Sequence, residues 1–149
     1  MELEKAKQIQ EEKFRQYNLL DWRFKFSYSK RRFGVCNYRK KRINISKELT
    51  ELNDEKYFIN TLLHEIAHAL VGINHNHNKI WKRKAIEIGC DGNRCYAPEV
   101  IRPSKKIIMF CPNCNKEYYR HKITKKGACS ECCIKYNRGK YDSRFILKV

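Results

Sequence analysis

The sequence predicts an α+β fold: a small antiparallel sheet packed with helices, followed by a small β module that is rich in cysteine. Short runs between residues 22 and 45 alternate apolar and polar side chains, as half-buried strands do. Residues 54–71 and 79–88 instead repeat apolar side chains at helical spacing. Because five of the eight cysteines lie beyond residue 105, we expect two domains, residues 1–104 and 105–149.

The first domain opens with a predicted amphipathic helix over residues 2–17. The segment WRFKFSYS, residues 22–29, follows as a strand whose aromatic side chains alternate with basic and polar ones. Two further strand-like pieces, Phe33–Tyr38 and Arg42–Ile45, are separated by a basic turn at Arg39–Lys41. These three strands predict a small antiparallel meander.

The strongest helical pattern covers residues 54–71, with Asn53 or Asp54 as the candidate N-cap and Gly72 as its end. After the loop INHNHN, a second helix is predicted over residues 79–88. The segment CDGNRCYAPEVIRPSKK contains two of the three prolines and predicts a connection to the second domain.

The charge of the chain is strongly positive and unevenly distributed. The 149 residues include 33 Lys+Arg against 16 Asp+Glu, a formal net charge of +17. Residues 21–50 hold ten basic and two acidic side chains and residues 101–149 thirteen and three, whereas residues 51–100 are nearly balanced. An excess of this size attracts polyanions, so it predicts nucleic-acid binding on both sides of a neutral middle.

The sequence argues against membrane-spanning and secreted classes. It has no run of about 18 apolar residues, the length that a transmembrane helix needs, and its first twenty residues lack the apolar stretch of a secretory signal. We therefore expect an intracellular protein, in the cytoplasm or nucleoid, or in the nucleus of a eukaryote. In these compartments cysteines are expected to be thiols or metal ligands, not disulfides.

The segment LLHEIAHALVGINHNHNKIW holds four of the five histidines. His64 and His68 lie four residues apart, so a helix places both on one face, where they can bind one zinc ion. Glu65 can reach a water at that metal, the arrangement of zinc-dependent hydrolases in which the glutamate accepts the water's proton. A catalytic zinc takes three protein ligands, and the spacing leaves His75 and His77 both open as the third.

Two CxxC pairs follow in the second domain: Cys111 and Cys114 in CPNC, and Cys129 and Cys132 in CSEC. Two such knuckles place four thiolates around one structural zinc, which predicts a zinc ribbon. Cys133 could replace Cys132 as a ligand, although the two-residue gap favours Cys132. The remaining cysteines are expected to be small buried residues: Cys36, Cys90 and Cys95.

Basic and aromatic side chains surround these cysteines, a mixture typical of surfaces that bind nucleic acid by phosphate contacts and base stacking. The candidate contact residues are Tyr118, Arg120, Lys122, Lys125, Lys126 and Arg138. Because the module contains few apolar residues, metal binding is expected to supply much of its folding free energy.

The motif HEIAHAL, a glycine, HNKIW and the trailing pair of CxxC motifs closely resemble the SprT-like metalloproteases, whose eukaryotic members include Spartan. The strand pattern W-x-F-x-F, RRFGVC and INIS resemble the stretch before the active helix of that family. The resemblance covers roughly residues 20–135. It implies a zincin-like minimal metalloprotease domain followed by a zinc ribbon. The sequence departs from the family at Asn78, where the family usually has glycine after its third histidine.

Carried over to this chain, the resemblance implies a catalytic zinc held by His64, His68 and His77, with Glu65 as general base. It selects His77 because the family's third histidine comes four residues before an aromatic residue, here Trp81. Together with the cysteine site, two zinc ions are expected, one catalytic and one structural.

The resemblance also implies a role: DNA-dependent proteolysis of proteins bound or crosslinked to DNA, the DNA being single-stranded or a junction. The expected partners are therefore protein substrates and DNA, with no membrane and a monomeric chain. An alternative is a nucleic-acid-binding zinc adaptor with little hydrolytic activity, against which Glu65 argues. A transcription-related zinc-ribbon protein would account only for residues 105–149.

Overall fold

A computed structural model describes the whole chain, Met1–Val149, which forms two compact units, Met1–Pro103 and Ser104–Val149. The α+β class is confirmed. None of the helices is long and apolar enough to cross a membrane. In chain order the elements are α1 (Leu3–Gln16), β1 (Arg23–Ser27), β2 (Gly34–Asn37), β3 (Arg42–Ser46), α2 (Lys47–Leu52), α3 (Glu55–Val71), α4 (Lys79–Glu87), β4 (Ile107–Phe110), β5 (Glu117–Arg120) and α5 (Ser130–Asn137).

The first three strands form a mixed sheet in the order β1-β3-β2, not the antiparallel meander that the sequence predicts. A tight turn in which Lys41 has a φ of 42° joins β2 to β3 as an antiparallel hairpin. The connection from β1 to β2 is longer and turns on itself, with Ser29 Oγ accepting from the Arg32 N–H at 3.0 Å. This connection leaves one strand position free between β1 and β2. Strand β3 occupies that position and pairs with β1 in parallel.

Helix α3 packs its apolar stripe against this sheet. Phe58, Leu62 and Ile66 lie four residues apart, which is one face of a helix, and all three are fully buried. They meet Ile43 and Ile45 of the central strand in one core. Burying a side chain of this size contributes about 1.5–3 kcal/mol, so the helix is held firmly on the sheet.

A short helix that the sequence analysis does not predict, α2, leads into α3. It begins at Ser46, whose hydroxyl oxygen accepts from the Leu49 N–H at 3.2 Å, an N-cap. Asn53 follows it, and its side chain donates to Leu49 O at 2.8 Å and Ile101 O at 2.9 Å. These bonds fix where α3 starts.

The second unit combines the antiparallel pair β4 and β5 with helix α5, where the sequence predicts strands alone. The helix arises at the second CxxC motif because the Cys129 side chain accepts from the Cys132 N–H and caps the first turn. It ends at Arg138, which has a left-handed φ of 51°. The core of the unit contains Met109, Phe145 and Leu147 together with cysteines.

Candidate active site and metal centres

Helix α3 carries His64, Glu65 and His68 into a cleft of about 490 Å³ beside the sheet. Its apolar stripe fixes the rotation of the helix, and this rotation sets both histidines on the side that faces the cleft. The helix ends at Gly72, which has a φ of 89°, a conformation that favours glycine. The chain can therefore turn back toward the helix immediately after the second histidine.

The returning loop brings His77 to the two helical histidines. Its Nε2 atom lies 3.0 Å from Nε2 of His64 and 3.1 Å from Nε2 of His68. His75 is not part of this cluster, and its Nδ1 atom instead lies 3.3 Å from the side-chain amide of Asn78. The geometry thus brings together the triad that the family resemblance selects.

The three imidazoles fit a tetrahedral metal ion. Zinc–nitrogen bonds of about 2.0–2.1 Å place two tetrahedral ligand atoms about 3.3 Å apart, close to the distances that His77 makes. Burial, followed by the proximity of the other imidazoles, lowers the pKa of His64 and of His68 to about 4. Neutral imidazoles have a free ring nitrogen at neutral pH, which is the form that binds a metal.

Trp81 forms the floor of this cluster. The side chain is buried, and its ring centroid lies 4.6 Å from those of His64 and His77 and 5.2 Å from that of His68. These contacts restrict rotation of all three imidazoles, so packing orients the candidate ligands. From the sequence, Trp81 serves only to select His77, and its packing against the imidazoles is not predicted.

Glu65 is buried next to strand β2, and Gly34 is what allows this approach. A Cβ atom at position 34 would lie 2.5 Å from Oε1 of Glu65 and 2.9 Å from its Cδ. Burial raises the pKa of Glu65 to about 8, although a hydrogen bond from the Cys36 backbone opposes the rise. A carboxylate with a raised pKa is a stronger proton acceptor. The sequence signal that could have found Gly34 is its position in RRFGVC.

The rest of the cleft comes from segments that the sequence analysis treats as connections or strands. Tyr38 lies on the β2 side, and burial raises the pKa of its hydroxyl to about 12. The loop after α4 closes another side through Asn93, Arg94, Cys95 and Tyr96. Tyr96 packs edge-on against Phe33 at 6.2 Å, which ties this loop to the sheet. No periodic pattern marks such a loop, so the sequence does not reveal it.

The four cysteines of the CxxC motifs converge in the second unit. Sγ of Cys111 lies 3.7 Å from Sγ of Cys132, and Sγ of Cys114 lies 3.8 Å from Sγ of Cys129. Zinc–sulfur bonds of about 2.3 Å place tetrahedral sulfur atoms about 3.8 Å apart, so the set fits this ion. Cys133 is buried but lies outside the group of four.

Tyr118 supports the cysteine cluster. Its hydroxyl lies 3.1 Å from Sγ of Cys129, and its ring packs against the core of the unit. Desolvation raises the pKa of Cys129, but hydrogen bonds led by that of the Tyr118 hydroxyl lower it to about 6. Tyr119 is the neighbouring tyrosine whose ring faces solvent, with half of its surface exposed.

The other residues proposed to contact nucleic acid lie in the second unit at separate positions. Lys122, Lys125 and Lys126 are exposed in the segment after β5, and Arg138 is exposed at the end of α5. Arg120 lies over the ring of Tyr118, with 5.2 Å between its guanidinium carbon and the ring centroid.

The first unit contains three cysteines, all free thiols, but only one of them is buried. Cys90 is buried as predicted. Cys36 is half-buried beside Glu65, and Cys95 is exposed at the cleft. The prediction is therefore wrong for Cys95, because the loop that carries it lines an open cleft and not the core.

A helix that presents two histidines and a glutamate, completed by a third histidine in an α+β unit, defines a metalloprotease-like domain. The model of the SprT-like family matches residues 3–100, about two thirds of the chain, and the chain belongs to this family. The family is associated with zinc metallopeptidase activity. Comparison with curated proteins finds no match.

Proposed function

We propose that the protein is a zinc endopeptidase of zincin-like architecture that cleaves DNA-bound or DNA-crosslinked proteins and depends on DNA for activity. The observation that carries the proposal is the position of Glu65, a buried carboxyl beside three convergent imidazole nitrogens in an open cleft. A structural metal site needs no such carboxyl, whereas peptide-bond hydrolysis needs a base next to the ion.

In this proposal His64, His68 and His77 hold the catalytic zinc and leave one position open. Zinc bound there supplies a Lewis acid that acidifies water and polarises the scissile carbonyl. Glu65 accepts the proton of the attacking water and donates it to the leaving amine nitrogen. The contact with Gly34 and the hydrogen bond from the Cys36 backbone hold the carboxylate in place for both transfers.

The sheet supplies a site for the substrate backbone. Strand β2 lies at one edge of the sheet, and its residues Gly34, Val35 and Cys36 line the cleft. An extended peptide can add to such an edge through main-chain hydrogen bonds. This places a scissile bond near Glu65 without requiring a particular side chain, which suits an endopeptidase that acts on varied proteins.

The second unit supports the DNA dependence. We propose that Cys111, Cys114, Cys129 and Cys132 hold a structural zinc, which orders the cations around them. The exposed lysines after β5 and Arg138 then contact phosphates of single-stranded or junction DNA. The charge excess of residues 101–149, thirteen basic against three acidic, supports this assignment. The chain is proposed to act as a monomer inside the cell.

Cleavage of a DNA-binding protein, with and without single-stranded DNA, tests the proposal. Wild type is expected to cleave only with DNA, and Glu65→Gln to lose at least about 10³-fold in rate, in the upper range for loss of a general base. Both proteins are expected to retain two zinc equivalents. Glu51→Gln is the matched control, since Glu51 is an exposed glutamate outside the cleft.

Two results would contradict the proposal. Full activity in Glu65→Gln would sink the assigned mechanism. No cleavage by wild type, despite two bound zinc ions and measurable DNA binding, would favour a nucleic-acid-binding adaptor.

A further inference from the structure

The outer face of the three-stranded sheet carries cations that the proposed active site does not use. Strand β1 exposes Arg23 and Lys25, while the aromatic residues that alternate with them pack against the core. The strand register places Arg23 beside Arg42 and Lys25 beside Asn44. Since directly opposite side chains on neighbouring strands lie on one face, these four residues form a continuous polar surface.

At one end of this surface lies a groove of about 430 Å³. Its lining consists of Asp21, Arg23, Arg39, Lys40, Lys41 and Arg42. Asp21 is the only carboxylate among them, and it pairs with Lys41 at 2.5 Å. The other four side chains make no ion pair, so their positive charge is available to a ligand.

Two features of the groove end of the sheet are costly in the protein alone. Arg42 Nε and Asn44 Oδ1 are buried without a hydrogen-bond partner, and they are two of only four such side-chain atoms in the chain. Arg23 and Arg42 are also side by side in the parallel register of β1 and β3, and two like charges on neighbouring strands repel each other. Buried polar groups are normally paired. An anionic ligand bound at the two guanidinium groups would offset the repulsion between them.

We propose that this face, centred on the groove lined by Arg23, Arg39, Lys40 and Arg42, binds the phosphate backbone of a nucleic acid. It belongs to the first unit and would be a nucleic-acid surface in addition to the cations of the second unit. A nucleic acid fits better than an anionic membrane because every residue that lines the groove is charged, whereas membrane-surface elements combine cations with apolar side chains that enter lipid. Asn44 adds a hydrogen-bonding group of the kind that contacts sugars and bases.

The groove and the cleft share no lining residue. Gly34 and Cys36 pair in register with the buried residues Ile45 and Ile43 and line the cleft, so they lie on the inner face. A nucleic acid on the outer face therefore leaves the cleft open to a peptide. The inference rests on the proposed function only for the identity of the polyanion.

The test is binding of a fluorescein-labelled single-stranded oligonucleotide to the full-length, zinc-loaded protein, followed by anisotropy over a range of salt. The sheet variant combines Arg23→Gln, Arg39→Gln and Lys40→Gln, three exposed positions outside the core. Its affinity is expected to fall roughly 10- to 100-fold at about 0.1 M salt, and the slope of log K against log salt to become shallower by about 2.

The control combines Lys7→Gln, Lys13→Gln and Arg15→Gln, which remove the same charge from α1, where acidic residues lie among the cations. This control is expected to keep most of the affinity and the wild-type slope. A third variant, Lys122→Gln, Lys125→Gln and Lys126→Gln, is expected to weaken binding independently of the sheet variant.

Three outcomes would overturn the inference. If the sheet variant binds as the α1 control does while the Lys122, Lys125 and Lys126 variant loses affinity, the proposed DNA binding by the second unit stands. The proposed binding surface on the sheet is then wrong. If wild type itself does not bind the oligonucleotide, both proposals fail. If the sheet cations are needed for binding phosphatidylserine vesicles but not the oligonucleotide, the surface is a membrane site.

Discussion

The two candidate metal clusters differ in their relation to the core around them. The histidine cluster stands on a unit with sixteen buried apolar residues, one of which, Trp81, packs against all three imidazoles. In the second unit the core cluster has seven buried residues, and three of them are the candidate ligands Cys111, Cys129 and Cys132. One metal would therefore serve chemistry on a fold that already exists, whereas the other would largely make the fold.

Metal removal should produce the largest difference in folding between the two units. A chelator is expected to unfold the second unit, because structural zinc sites of this type bind with about 10–16 kcal/mol, while the first unit stays folded on its own core. Amide resonances assigned to each unit would report this directly. If the second unit keeps its dispersed resonances without metal, its fold does not depend on the ion.

A matched pair of substitutions sharpens the same prediction. Cys132→Ser is expected to lose one zinc equivalent and the fold of the second unit. Cys133→Ser changes a neighbouring buried thiol outside the group of four and is expected to retain both zinc ions. Zinc content and resonance dispersion are the measurements, and equal losses in the two variants would mean that the ligand assignment is wrong.

Removing a ligand from the histidine cluster should abolish function without unfolding the protein. His77→Ala is expected to lose the catalytic zinc and all cleavage, since two imidazoles remain where three converge. His75→Ala is the control, because His75 lies in the same loop outside the cluster. Zinc content, cleavage and circular dichroism of each variant test this. A His77→Ala protein with two zinc ions would refute the triad.

The position of Glu65 should be sensitive to a single methyl group. Gly34→Ala places a Cβ within 2.5 Å of Oε1 of Glu65, so the carboxylate must move, and misplacement of about 1 Å costs roughly 10²-fold in rate. Both zinc ions should stay bound. Gly127→Ala is the control, since its nearest atom is the hydroxyl of Thr124, a small side chain outside the cleft. Unchanged kcat in Gly34→Ala would show that the carboxylate does not act from this position.

The sequence predicts the parts of the site that local spacing determines. His64, Glu65 and His68 follow from helical periodicity, and the CxxC knuckles follow from ligand spacing. The mixed sheet does not, because the pairing of β1 with β3 depends on the path of a connection and not on alternation within a strand. Gly34, Trp81 and the loop around Arg94 are equally hidden, since their roles depend on contacts across the fold.

The smallest expected effect concerns Asn78, the position where the sequence departs from the family's glycine. Its side-chain oxygen accepts from the N–H groups of Ile80 at 3.0 Å and Trp81 at 3.2 Å. These bonds cap α4 and hold Trp81 in place against the imidazoles. Asn78→Ala should cost about 1 kcal/mol and Asn78→Gly only a few tenths, as measured by urea unfolding of the first unit. Asn74→Ala, in the same loop, should change nothing. If alanine is tolerated as well as glycine, the cap does not stabilise α4, and packing of Trp81 alone holds the helix beneath the histidines.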